Sequence, residues 1–243
     1  MLEVLYGLAA VVAGAVGSVA GFGIGSILTP LLSLTLGTQL AVAAISIPHV
    51  FATAARFWML REHVDRRVLL SFGLLSAAGG LTGALLHSVA SNPALTLVFS
   101  GLLIFAGITG ITGQARRMRF GAKVAWVAGA LSGMLGGLVG NQGGIRSAAL
   151  LGFGLDRKAF VGTTTAVGLI VDAARMPVYL ATSASELRSA TGLIVLTTVG
   201  VLVGTALGTR FLRRIPEERF HRIVGGLILA LGIFMLVRAA RGA

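Results

Sequence analysis

Two halves of this chain repeat one apolar, glycine-broken pattern. Residues 13–108 and 128–233 each open on a glycine-dense stretch, AGAVGSVAGFGIG from Ala13 and AGALSGMLGGLVG from Ala128. Each continues into a segment with an Ala-Ala-Arg step, Ala54-Ala55-Arg56 and Ala173-Ala174-Arg175. A small-residue segment follows, Gly79–Gly83 in one half and Val199–Gly204 in the other. Each half closes on a matched run, SGLLIFAGI from Ser100 and GGLILALGI from Gly225. Duplicated apolar halves with breaks in equivalent positions are the sequence pattern of a secondary transporter.

The rest of the composition agrees with lipid as the solvent. Hydrophobic residues make up 56% of the chain and the mean hydropathy is +0.93, well above soluble domains. The 35 glycines suit helices that approach closely in lipid. The net charge of +12 invites a nucleic-acid partner, but the arginines fall mainly in short loops between apolar runs. That is the bias of cytoplasmic loops, so no nucleic acid is expected. With no cysteine, disulfides, thiolate metal sites and cysteine nucleophiles are excluded. His49, His63, His87 and His221 are scattered, and neither GxSxG nor HExxH occurs, so no enzyme, metal site or cofactor is expected. Met1–Leu5 lacks a basic region, so no cleavable leader is expected either.

The predicted fold is an all-α integral membrane bundle. Spans are expected at 2–20, 39–60, 68–87, 94–112, 124–139, 159–181, 189–209 and 221–238, with short apolar segments at 25–36 and 145–154. Loops 61–67, 113–123 and 210–222 are basic; loop 88–93 is uncharged, and 182–188 holds only Glu186 and Arg188. Placing the basic loops inside leaves an odd number of crossings between 113–123 and 182–188. The broken stretch 124–154 must then make no net crossing, and 2–36 likewise. Each half would open with a helical hairpin, and the halves, 1–115 and 116–243, would be inverted repeats. Both termini would lie outside the cytoplasm, in a bacterial-type inner membrane.

Glycine breaks at membrane depth leave backbone groups that lipid cannot satisfy, so they persist only inside protein or along a cavity. A helix restarting after a break offers free N–H groups and a positive dipole end to an anion. Candidate binding residues are Gly23, Gly25, Ser26 and Thr29 after the first break, and Asn141, Gln142, Gly143, Gly144 and Arg146 after the second. The competing reading is that these glycines only let helices pack. Arg146 has no charged counterpart around Ser26–Leu31, so the fold does not require it; its guanidinium could hold an oxyanion or snorkel to the rim. Arg56 reads as snorkelling. Asp172 is the one acid well inside a span. It is a candidate proton carrier, or else the neutralising partner of Arg175 one turn on. His49 completes the coupling candidates as a group that titrates near neutrality, or as a packing histidine. Thr163, Thr164 and Thr165 either bond back to their helix or line the path.

The glycine runs entering a proline-bearing helix (AGAVGSVAGFGIGSILTPLL), the restart at GALSGMLGGLVGNQGG and the closing GGLILALGIFML resemble the TauE/SafE sulfite exporter family, the TSUP transporters. The resemblance covers nearly the whole chain. It implies an inner-membrane permease for sulfite, sulfonates and related organic anions. The second motif, Gly140-Asn141-Gln142-Gly143-Gly144, is poorer in glycine than the family pattern. The expected partners are a small anionic substrate, the bilayer and, for coupling, protons, in a monomer or homodimer. The alternatives are an anion channel and a transporter of carboxylates or metal cations.

Overall fold

Two glycines bend the first apolar stretch back on itself and then onward. Gly23 has φ 123° and Gly37 has φ 75°, left-handed conformations that a side chain would strain. Helix α1 (Leu2–Ala20) runs up to the first turn, and α2 (Ile24–Leu60) leaves it, interrupted at Gly37. The piece of α2 before Gly37 returns alongside α1: the Tyr6 hydroxyl meets the Thr35 hydroxyl at 3.2 Å. Residues 2–36 are therefore a helical hairpin. At the second turn the backbone N–H of Gln39 donates to the Asn92 side chain at 2.7 Å, which satisfies a group the interrupted helix leaves open.

The computed structural model describes residues 2–20, 23–114, 122–140, 146, 150, 153–211 and 217–241, and among these there is no strand. After α2 come α3 (Arg66–Val89), α4 (Asn92–Thr112), α5 (Ala122–Val139) and α6 (Arg157–Thr182). The short α7 (Ala184–Ser189), α8 (Thr191–Phe211) and α9 (Glu217–Ala240) complete the order. Among the described residues, five helices are long and apolar enough to cross a membrane. Residues 141–145, 147–149 and 151–152 fall outside the described residues, and with them most of the expected segment 145–154.

The helices pair reciprocally across the two halves. α1 lies along α8, and α5 lies along α3; α4 lies along α9, while α2 and α6 pack on each other. Glycines make the first two pairings close. A methyl on Gly204 would meet the Val11 carbonyl and stand 2.9 Å from Ala15 N; one on Gly133 would meet the Ser76 carbonyl. In lipid, where apolar surface is no drive to association, such backbone approach is what holds helices together. Large side chains including Val4, Trp58, Met59, Val89 and Ile223 remain exposed, the apolar outer surface a bilayer would cover.

Candidate functional site

The two glycine breaks meet. A methyl on Gly25 would meet the Gly140 carbonyl oxygen, and Thr29 lies beside both glycines, with Oγ1 3.9 Å from the Cβ position of each. Ser26 and Thr29 are buried, and the Thr29 hydroxyl has no hydrogen-bond partner among the described residues. Asn141, Gln142, Gly143 and Gly144 lie outside the described residues.

Helix ends buried at such breaks need partners for their last carbonyls. Arginines supply them in both halves. Nη1 of Arg56 donates to the Gly17 carbonyl, and Nη1 of Arg175 donates to the Gly136 carbonyl at 2.6 Å; both pairs are 39 residues apart. Arg56 is therefore no snorkelling residue: it is only 7% exposed and caps α1 from inside. The end of α5 has two more caps. The Tyr179 hydroxyl donates to Gly137, and His87 Nδ1 lies 2.7 Å from the Leu138 carbonyl. The His87 ring stands edge-on to Tyr179, with centroids 5.1 Å apart.

Asp172 gathers the coupling candidates. Its carboxylate accepts from Arg175 Nε at 3.0 Å and pairs with Nη2 at 2.8 Å. Its other oxygen meets His49 Nδ1 at 2.7 Å. The second contact joins α2 to α6 across the two halves, between residues 123 positions apart. Asp172 and Arg175 are buried, and His49 keeps a small exposure.

Arg146 is buried too, at 4% exposure. Its Nη1 donates to the Thr164 carbonyl at 3.2 Å, while Nε and Nη2 have no partner among the described residues. Room for the guanidinium comes from Gly168, where a methyl would stand 2.7 Å from Nη1 and 3.5 Å from Thr53 Cγ2. The three threonines part ways. Thr165 bonds back to the Val161 carbonyl, Thr163 accepts the Asp65 N–H, and Thr164 turns its carbonyl to Arg146, its hydroxyl unpartnered among the described residues. Arg56, Arg146 and Arg175 thus share a buried region with one described carboxylate, that of Asp172. Unpaired charge there is costly, so such a group of donors favours an arriving anion.

Residues 6–235 match the model of the family described as sulfite exporter TauE/SafE. The chain belongs to this family. The TauE/SafE proteins are membrane transporters and not enzymes, so a multi-pass transporter of anions is the coarse identity of the chain. No curated protein and no solved structure matches it. Outside the buried cluster, a surface cavity of about 410 Å³ is lined by Phe57, Arg61, Glu62, Val64, Arg66 and Leu69, at the end of α2 that carries Arg56.

Sequence reasoning missed Arg56, Gly17, Gly168 and Tyr179. The signal for Arg56 was present in its repeat equivalence to Arg175.

Proposed function

We propose that the protein is a secondary-active permease for small sulfur-containing anions such as sulfite and sulfonates, working by alternating access in a bacterial-type inner membrane. The observation that carries this reading is Arg146: a buried guanidinium whose Nε and Nη2 edge faces no described partner. That edge suits the paired oxygens of a sulfite, sulfonate or carboxylate group. Backbone N–H groups near Ser26 and at Asn141–Gly144 complete the site in this reading, with Gly23, Gly25 and Thr29 shaping it.

The two repeats, 1–115 and 116–243, rock against each other around this centre. Support for an inverted pair comes from the reciprocal packing of α1 on α8 and α5 on α3, and from the matched arginine caps. Both termini face outward in this arrangement, so the Arg61 and Arg66 cavity becomes the cytoplasmic vestibule. His49 and Asp172 join the halves and carry the coupling proton, with Arg175 and Arg56 as the charges that face them.

The test is uptake of radiolabelled sulfite, thiosulfate, sulfoacetate and taurine into proteoliposomes, with and without a pH gradient. Saturable, gradient-driven accumulation of one anion is expected. Arg146→Ala abolishes binding of that anion while the protein stays folded. Unchanged affinity in this variant removes Arg146 from the site, and single-channel currents in place of saturable exchange make the protein a channel.

A further inference from the structure

Matching the repeats by their arginine caps also matches what surrounds each arginine. Asp172 stands one turn before Arg175, and Thr53 stands one turn before Arg56. Gly168 and His49 stand two turns before the same arginines. The contacts across the halves are equivalent in this register: His49 touches Asp172, and Gly168 lies against Thr53.

The chemistry is not equivalent. On the second half, the Nε and Nη2 edge of Arg175 holds the Asp172 carboxylate. On the first half, the same edge of Arg56 meets only a threonine among the described residues. Nη2 reaches the Thr53 hydroxyl at 3.4 Å, and Nε has no partner among the described residues. Arg56 is buried, so water does not readily satisfy that edge. Arg146 lies across Gly168 from Thr53, and its Nε and Nη2 have no partner among the described residues.

We infer that the transported anion occupies, on the first half, the position that the Asp172 carboxylate occupies on the second, bound by the Nε and Nη2 edge of Arg56 with Arg146 as the second cation. Asp172 is then a built-in likeness of half the cargo. On the second half one carboxylate oxygen of Asp172 meets both Nε and Nη2 of Arg175 and the other reaches across to His49, so a cargo with at least two oxygens on one centre can serve Arg56 with one and a second donor with the other. Arg56 thereby becomes a binding residue as well as a helix cap, and Thr53 sets the space that the anion's oxygens enter. Gly168 matters for the same reason: a methyl there would stand 2.7 Å from Arg146 Nη1 and force that guanidinium to shift, while only touching Thr53. The inference rests on the transport reading above and adds the place and the second arginine.

The test moves the carboxylate. Thr53→Asp supplies the missing acid to Arg56. It should raise the unfolding temperature of the purified protein in anion-free buffer and abolish the further rise that sulfite gives the wild type. The swap T53D/D172T, which frees Arg175 in exchange, should regain a sulfite-dependent rise. Arg56→Lys keeps the charge and removes the forked edge, and its sulfite affinity should fall at least about tenfold. A wild-type sulfite response in Thr53→Asp, or wild-type affinity in Arg56→Lys, overturns the inference and leaves the transport reading standing. No response of the wild type to sulfite, thiosulfate, sulfoacetate or taurine overturns both.

Discussion

Replacing Gly204 by alanine should cost stability where the same change at Gly101 should add it. Both glycines lie inside helices, Gly204 in α8 and Gly101 in α4, so both substitutions gain about 0.5–1 kcal/mol of helix propensity. Their surroundings differ. A methyl on Gly101 meets nothing within 4 Å. A methyl on Gly204 runs onto the Val11 carbonyl, with the carbonyl carbon 2.8 Å and Ala15 N 2.9 Å away. These are backbone atoms of α1, which no rotamer change can move. α1 and α8 must part by about 1 Å, and a gap of that size forfeits roughly half of each affected contact. Overpacking of this kind costs about 1–3 kcal/mol, more than the propensity gained. The assay is reversible unfolding of each variant in mixed micelles, titrated with a denaturing detergent. Equal stabilisation by both substitutions would refute the claim that glycine contacts set the α1 and α8 distance.

Two further predictions rest on single carboxylates. Asp172→Asn leaves Arg175 buried without its counter-charge, so unfolding becomes easier by about 3 kcal/mol, and uptake stops responding to a pH gradient; a wild-type gradient response makes the His49 and Asp172 contact purely structural. Asp156 caps α6 by accepting the backbone N–H groups of Ala159 and Lys158, which hold its carboxyl below the usual aspartate range. A lowered folded-state value means the cap is at full strength above the unfolded value of about 4 and is lost as the pH falls through the lower one. The Lys158 and Ala159 amides should therefore be less protected from hydrogen exchange in Asp156→Ala than in the wild type at neutral pH, and the wild type should lose that protection only below the ordinary aspartate range; equal protection in the two proteins at pH 7 would dismiss the cap.

The spans were legible because length and hydropathy are local. The piece expected at 25–36 and the span at 39–60 meet at Gly37, where the chain does leave the helix. Glycine clusters announced the turns because few other residues adopt positive φ. Arg56 was read wrongly because an arginine near a span end ordinarily reaches for the rim. What holds it is a carbonyl 39 residues upstream, freed by a break that the sequence did show. The pairing of His49 with Asp172 depends on how α2 crosses α6, and no local pattern in either helix encodes a contact over 123 positions. Gly168 looked like one packing glycine among many; only the placed guanidinium of Arg146 gives it a purpose.

The most direct measurement is diffraction at the selenium edge from crystals grown with ordinary methionine and soaked in selenite, the heavier homologue of sulfite. The account predicts one anomalous peak within hydrogen-bonding distance of Arg56 Nε and the Nε and Nη2 edge of Arg146, lost in Arg146→Ala. Peaks confined to surface arginines such as Arg61 and Arg66, with none at the buried cluster, would contradict it.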